Sequence, residues 1–342
     1  MRALVYHGPA QTSWDTVPDP VIEEPTDAIV RVDATTVCGS DLHIRQGEFP
    51  EVKPGTILGH EAVGEVVETG ERVHQLRSGD QVIVSSVSSC GHCGPCREAR
   101  YGQCRGGGGW LLGNLVDGVQ AELVRVPFAD HSTSRLPSDL RLDDAVLLTE
   151  LFPVAYEIGV RNGQVGPGDT VVVMGAGPVG LATASVARLY SPRRIIVVDR
   201  SAARLENAAR VGADAAEMPG QAVAEVSEGP GADVVIEATG DPDGFELATR
   251  VVRTGGHIAS VGTHGRPVTL HMEALWRKNI VISTGQVDTS SRPRLLELTR
   301  SGHLQVSPLI THTLPLDRMD DAYETFAHGT VNGALKVVLR RE

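Results

Sequence analysis

Cys38, Ser40, Asp41 and His43 stand within six consecutive residues, Cys38-Gly-Ser40-Asp41-Leu-His43. A thiolate can ligate a metal, a hydroxyl and an imidazole can carry a proton, and a carboxylate can orient either. Alone the run is ordinary, since cysteine is among the most buried residue types and usually packs. A second candidate is Gly59-His60-Glu61, followed by Gly64 and Gly70. A third is Glu150, set in Leu147-Leu148-Thr149-Glu150-Leu151-Phe152. A carboxylate among that much apolar surface is costly unless it is paired or bound to a metal. An amphipathic helix with Glu150 on its wet side reads equally well, and periodicity does not separate the two.

Four of the five cysteines, Cys90, Cys93, Cys96 and Cys104, are spaced by 3, 3 and 8 positions. Four thiolates so spaced fit a tetrahedral zinc site with sulfur–metal distances of about 2.3 Å. Gly91, Gly94 and Pro95 let the backbone wrap the ion. An iron–sulfur cluster is the competing reading, but its usual run places the fourth cysteine much nearer and follows it with proline; here Arg105 follows Cys104. Four protein thiolates leave no open position, so the expected zinc is structural. His92 lies inside the loop and reads as a solvated residue.

A different pattern begins at Thr170–Met174, a continuous apolar run of the kind found in strands buried on both faces. It feeds Gly175-Ala-Gly177-Pro-Val-Gly180, then helical spacing over Leu181–Tyr190, then a second buried run, Ile195–Val198, ending at Asp199. Asp199 lies 19 positions beyond Gly180. Strand, glycine turn, helix, strand and acidic tip make a dinucleotide-binding unit. Gly175 permits the tight turn, Gly177 lets backbone approach a pyrophosphate, and Gly180 lets helix pack on strand. The helix N-terminus supplies N–H groups to phosphate. Asp199 accepts ribose hydroxyls and repels a 2′-phosphate, which points to NAD rather than NADP; Arg200 beside it offsets part of that repulsion. Gly240, Gly262 and Gly285 mark further strand tips where a nicotinamide could rest.

The elements that must position these groups are legible around them. The chain has 342 residues, enough for two domains. Its 38 glycines and 4% aromatics suit an α/β protein with many tight turns. A net charge of −12 with scarce lysine and no basic patch makes nucleic acid an unexpected partner. The N-terminus is too poor in apolar residues for a signal peptide, and Val171–Ala187 carries glycines and a proline that the dinucleotide unit explains better than a membrane span. A cytoplasmic protein with no membrane partner is therefore expected. Ala3–Tyr6, Ala28–Thr36, Gln81–Ser85 and Val119–Val126 read as strands, so the first part resembles a small β-barrel. Pro18, Pro20 and Pro25 keep their segment extended or turned. Leu142–Val160 reads as a helix interrupted at Pro153. Beyond Asp199 the expected elements are a helix over Arg204–Val211, strands over Ala232–Thr239, His257–Val261 and Asn279–Thr284, and a helix over Phe245–Val252. The tail offers helices at Arg294–Ser301 and Asp317–Ala327 and a strand, Ala334–Leu339, that carries Lys336.

On these motifs the chain resembles the zinc-dependent alcohol dehydrogenases of the medium-chain dehydrogenase/reductase superfamily. The resemblance covers nearly the whole chain. It implies an α/β fold with a GroES-like β-barrel catalytic domain over residues 1–155, carrying a structural-zinc lobe near 90–104. A Rossmann domain with a doubly wound parallel sheet would span 156–288, and 289–342 would return to the first domain. It also implies two zinc ions per chain. Cys38, His60 and Glu150 would hold the catalytic ion, with Glu61 beside it as an exchangeable ligand. Asp41 would orient His60, and Ser40 and His43 would relay the proton of an alcohol whose pKa the zinc lowers before hydride passes to the nicotinamide. Val179, Arg204, Gly262 and Gly285 would join Gly175, Gly177, Gly180 and Asp199 around NAD. The implied partners are a small-molecule alcohol or carbonyl substrate and further copies of the chain, as a homodimer or homotetramer joined at Asn279–Thr284. The stretch Gly109-Trp110-x-x-Gly-Asn114-x-x-Asp117-Gly118-Val119 is similar to bacterial secondary-alcohol dehydrogenases, which usually lack the four cysteines. The chain thus mixes two branches, and polyol, threonine or formaldehyde-adduct substrates stay open. So does a dinucleotide-binding sensor without chemistry.

Overall fold

A computed structural model describes residues 1–220 and 229–341. Seven strands form a sheet in the order Ile310–Pro315, Lys336–Arg340, Ala28–Thr36, Ala62–Thr69, Gln81–Val84, Thr133–Arg135, with Leu123–Val126 also paired to Ala28–Thr36. Apart from the parallel pairing of Ile310–Pro315 with Lys336–Arg340, its neighbours run antiparallel. The C-terminal strand thereby closes on the first part of the chain, with Val338 opposite Thr36. A hairpin of Arg2–Gly8 and Gln11–Thr16 packs beside this sheet.

A second sheet has six strands, in the order Ala215–Glu217, Arg194–Val198, Thr170–Met174, Ala232–Glu237, Val252–Ser260, Val281–Ser283. Every adjacent pair is parallel. All five residues of Thr170–Met174 are buried, as a central strand covered on both faces requires. Gly175 then turns the chain with φ 102°, and a Cβ on Gly180 would sit 1.8 Å from the Gly175 carbonyl oxygen. Only glycine permits that contact, which seats the helix Pro178–Ala187 against the strand.

Several expectations need correction. The helix expected over Leu142–Val160 is three pieces: Leu142–Leu147, Leu151–Val154 and a π-helical turn Ala155–Arg161. The break falls at Glu150, whose backbone (φ −143°, ψ −53°) leaves the helical region, and not at Pro153, which sits inside the second piece. Arg204–Val211 divides into a short helix Ala202–Leu205 and a 3₁₀ turn Ala208–Val211 that ends at Gly212 with φ 79°. The strands expected over Val119–Val126 and Asn279–Thr284 shorten to Leu123–Val126 and Val281–Ser283. Strands Gln11–Thr16 and Ile310–Pro315 carry no clear alternation and escape a reading by periodicity. Among the described residues no helix is long and apolar enough to cross a membrane.

Candidate metal centres and nucleotide cleft

Cys38 precedes the helix Gly39–Arg45, at its N-cap position. Its backbone N–H donates to Asp41 Oδ2 at 2.9 Å, which turns the start of this helix into a rigid mount for the thiol. His60 and Glu61 lead into the strand Ala62–Thr69, and Glu150 enters from the helix break. One donor atom each from Cys38, His60, Glu61 and Glu150 lies within 4.8 Å of the others. Glu150 Oε2 is 2.8 Å from His60 Nε2 and 3.5 Å from Cys38 Sγ, so the carboxylate faces its partners and not solvent. Glu61 is engaged elsewhere: its Oε2 accepts from Lys336 Nζ at 2.5 Å and from the Thr36 hydroxyl. Both Lys336 and Glu61 are 1% exposed.

Around this cluster a buried polar chain stands behind His60. Asp41 Oδ1 stands 3.4 Å from His60 Nδ1. Gln120 Nε2 donates to Asp41 Oδ2 at 3.1 Å, and Tyr323 donates its hydroxyl to Gln120 Oε1 at 2.8 Å. The Trp110 ring meets the His60 ring edge-on at 5.5 Å between centroids.

Burial and neighbouring charges perturb all four groups. Burial pushes the Cys38 thiol up, and the charge of Glu150 adds to this. Burial also lifts the Glu61 carboxyl, with Lys336 opposing only in part. For His60 burial works downward, but Glu150 and Asp41 outweigh it and hold the imidazole well above its ordinary value. Burial works upward on Glu150, yet His60 brings it down to about 2. Glu61 Oε1 is buried with no hydrogen-bond partner, while His60 Nδ1 and Asp41 Oδ1, also without one, face each other. A thiol, an imidazole and two carboxylates at such distances, out of water, fit a divalent ion that favours sulfur and nitrogen donors.

All five cysteines are free thiols, so the lobe is not disulfide-bonded. The Sγ atoms of Cys90, Cys93, Cys96 and Cys104 lie within 4.8 Å of one another. Backbone N–H groups of Cys90, Arg105 and Gly106 point at the sulfurs of Cys104, Cys93 and Cys104 at 3.5, 3.4 and 3.4 Å. Such donors stabilise thiolates. His92 is exposed and turns its Nδ1 to the Cys90 carbonyl at 2.8 Å, outside the sulfur set.

Two cavities flank the glycine turn and the cluster of Cys38, His60 and Glu150. The larger, of about 830 Å³, is lined by Gly175, Gly177, Asp199, Arg200 and Arg204 among others. Asp199 accepts from Ala176 N at 2.7 Å and from Ser201 N at 2.8 Å, bracing the turn. Burial lowers the Arg204 guanidinium pKa, with Asp199 opposing. The smaller cavity, about 170 Å³, is lined by Cys38, Ser40, Glu61 and Glu150 on one side and by Val179 and Gly285 on the other. Ser40 Oγ is 3.6 Å from Cys38 Sγ. Gly262 lines neither cavity but packs on Gly240, where a Cβ would stand 2.3 Å from the Gly240 nitrogen. His43 also lies outside the small cavity, half-buried, with Nδ1 2.7 Å from Glu48 Oε2. Thr36, Gln120, Tyr323 and the contact of Lys336 with Glu61 are missing from the motif reading.

Comparison with known proteins agrees with this geometry. Residues 24–138 match the family model of the alcohol dehydrogenase GroES-like domain, and residues 178–299 that of the zinc-binding dehydrogenases. A probable zinc-binding alcohol dehydrogenase of Mycobacterium tuberculosis is 34% identical over 95% of this chain and 85% of its own. The apo structure of zinc-dependent alcohol dehydrogenase 2 from Streptococcus pneumonia superposes with a TM-score of 0.95 at 41% identity, covering 100% of this chain and 99% of the other. Two further structures contain cofactor. An Escherichia coli alcohol dehydrogenase with NADH matches at TM-score 0.89 and 29% identity, covering 99% of each chain. A Sinorhizobium meliloti protein with NADP matches at 0.87 and 28%, covering 99% of this chain and 98% of that one. The chain belongs to the zinc-binding alcohol dehydrogenases of the medium-chain dehydrogenase/reductase superfamily, oxidoreductases that use zinc, a nicotinamide cofactor and a small-molecule substrate.

Proposed function

We propose that this enzyme interconverts a small alcohol and its ketone or aldehyde with NAD(H), using a catalytic zinc held by Cys38, His60 and Glu150 and a structural zinc held by Cys90, Cys93, Cys96 and Cys104. The observation that carries the reading is one small cleft bounded by Cys38, Ser40 and Glu150 on one face and by Val179 and Gly285, from the nucleotide-binding part, on the other. A zinc ion held by Cys38, His60 and Glu150 would supply Lewis acidity that lowers the pKa of an alcohol substrate. The protein's own groups do the rest. A thiolate and a carboxylate would balance the two charges of such an ion, His60 would bind it as the neutral imidazole, and Lys336 keeps Glu61 paired beside them. Asp41, held by Gln120, faces His60 Nδ1 and would set the tautomer that presents Nε2 to the ion. Ser40 Oγ lines the cleft and is placed to take the substrate proton, while His43, outside the cleft and paired with Glu48, would complete its path to solvent once the bound cofactor bridges the two. Val179, Leu151 and Ile158 keep the reacting carbon in an apolar wall.

Asp199 favours NAD over NADP, and Arg200, in the same cavity, is paired with Asp241 at 3.6 Å, which offsets part of its attraction for a 2′-phosphate. Residues 1–155 with 289–342 form the catalytic domain in this reading, and 156–288 the nucleotide-binding domain. Val268, Leu270, Met272, Trp276 and Val281 are exposed along the last parallel strand and its approach, which supports a homodimer or homotetramer joined at that edge. Five free cysteines suit a reducing, cytoplasmic setting. Zinc-loaded protein should reduce NAD more efficiently than NADP against a panel of alcohols, polyols and amino alcohols. Failure to reduce either cofactor with every compound would leave the fold as a nucleotide-binding scaffold.

A further inference from the structure

From Gly285 to Ser291 the chain crosses, without regular structure, from the edge of the parallel sheet to the helix Arg292–Arg300. The first three residues, Gly285, Gln286 and Val287, form part of the wall of the small cleft. The next four are gripped from three directions. From the four-cysteine lobe, the Gly102 N–H donates to Asp288 Oδ1 at 3.0 Å, and a Cβ on Gly102 would stand 2.5 Å from the Val287 carbonyl oxygen. From the barrel, Ser85 Oγ lies 2.8 Å from Thr289 Oγ1. From the π-helical turn comes Glu157, which is 0% exposed. Its Oε2 accepts from Asp288 N at 2.8 Å, and its Oε1 accepts from Ser291 N at 2.8 Å, Ser291 Oγ at 2.6 Å and Ser290 Oγ at 3.5 Å. Thr289 is held at φ 57°, a left-handed conformation that a β-branched residue adopts only when its surroundings impose it.

We infer that Asp288 and Glu157 are positioning residues for the substrate cleft, and that through Gly102 they couple the cleft wall to metal occupancy of the four-cysteine lobe. Neither carboxylate lines the cleft, so neither is catalytic. A fully buried carboxylate is costly in a helix that an apolar side chain could pack equally well. Here its oxygens are spent on one short segment, whose other end is the cleft wall. Gly102 lies between Cys96 and Cys104, so a metal on those sulfurs fixes the donor that Asp288 accepts. Coupling of this kind is reciprocal in binding free energy: if metal on the lobe tightens substrate in the cleft, substrate tightens metal on the lobe by the same factor. The inference rests on the lobe being a metal centre and goes beyond the reaction proposed above.

Three variants of the zinc-loaded chain test it. Asp288→Ala removes the acceptor for Gly102, Asp288→Asn keeps a side-chain oxygen there, and Glu157→Gln sets an amide N–H against the Asp288 N–H. Each is followed by zinc release to a chromophoric chelator, by hydrogen exchange over residues 286–291, and by steady-state kinetics. Asp288→Ala should speed release of one of the two zincs and raise KM for the alcohol, each about fivefold, the equivalent of one hydrogen bond, while kcat stays within about twofold. Exchange at 286–291 should rise with it. Asp288→Asn should behave as wild type in all three readouts, and Glu157→Gln should raise KM and exchange as Asp288→Ala does. If Ala and Asn behave alike, or if Asp288→Ala and Glu157→Gln lower only thermal stability, the coupling is wrong. Absence of turnover would count against the proposed reaction alone, because zinc release and exchange decide the coupling without it.

Discussion

Replacing Lys336 by methionine tests the buried charge balance around Glu61 and the proposed catalytic-metal ligands. Lys336 Nζ donates to Glu61 Oε2 at 2.5 Å and to the Val37 carbonyl at 3.2 Å, from a side chain that is 2% exposed. Methionine nearly matches the shape and removes the charge, leaving Glu61 with the Thr36 hydroxyl as its remaining side-chain donor. Breaking a buried pair from one side costs about 3–5 kcal/mol, because the partner is left charged and dry. An unfolding entropy of about 2.1 cal/mol/K per residue, taken over 342 residues, gives a fall in Tm of about 4–7 °C. Burial already lifts the Glu61 carboxyl and Lys336 opposes that lift, so the variant should also bind a proton at Glu61 at higher pH than wild type does. Adding Glu61→Gln removes the stranded charge, and the double variant should recover at least half of the lost Tm. Calorimetry on zinc-loaded protein at neutral pH reads both numbers. A single variant within about 1 °C of wild type, well below the cost of a broken buried pair, would refute the argument. So would a double variant no more stable than the single one.

Cys38→Ser should lose one zinc and keep the other; metal analysis that still finds two per chain would remove Cys38 from the ligand set. Ser40→Ala should retain both zincs while kcat falls about 10²-fold or more, as loss of a proton-transfer group does, and unchanged turnover would contradict the relay. Val281→Lys, on the exposed edge strand, should shift the mass measured by light scattering toward the monomer; an unchanged mass would move the interface elsewhere. Asp233→Asn addresses pH. Burial works upward on Asp233, but the Thr170 N–H at 2.7 Å and Arg253 Nε at 2.7 Å outweigh it and hold the carboxyl below its ordinary value. The folded pKa is depressed, so this stabilisation is present above the ordinary carboxylate pKa of about 3.9 and disappears as pH falls through the folded value. Asp233→Asn should therefore cost about 1–2 kcal/mol at pH 7 and little near pH 2, measured by urea unfolding of both chains at each pH. A gap that does not close in acid would rule out the charge as its source.

Motifs carried by short sequence separations were legible, and contacts brought together across the chain were not. Thr170–Met174 and Ala28–Thr36 have the observed bounds, because a β-branched run and an alternating run each carry their own period. The cysteine spacing and the glycine turn are equally local. Glu150 was named as a ligand through resemblance, while its mechanism escaped periodicity: the apolar run reads straight through Leu148–Glu150, where the chain leaves the helix to aim a carboxylate inward. Gln120 lies 79 positions from the Asp41 it supports, and Tyr323 203 positions from Gln120. No spacing rule could join them. Lys336 gave a usable signal, a cation in a strand otherwise apolar, and a buried charge has to find its opposite. Glu157 gave the same kind of signal, an acid between Tyr156 and Ile158 in a stretch read as helix. Its donors, however, lie more than 130 positions away, in a loop that has no period of its own. Where an isolated charge interrupts an apolar run in this chain, the question to carry into the structure is which distant backbone or ion it satisfies.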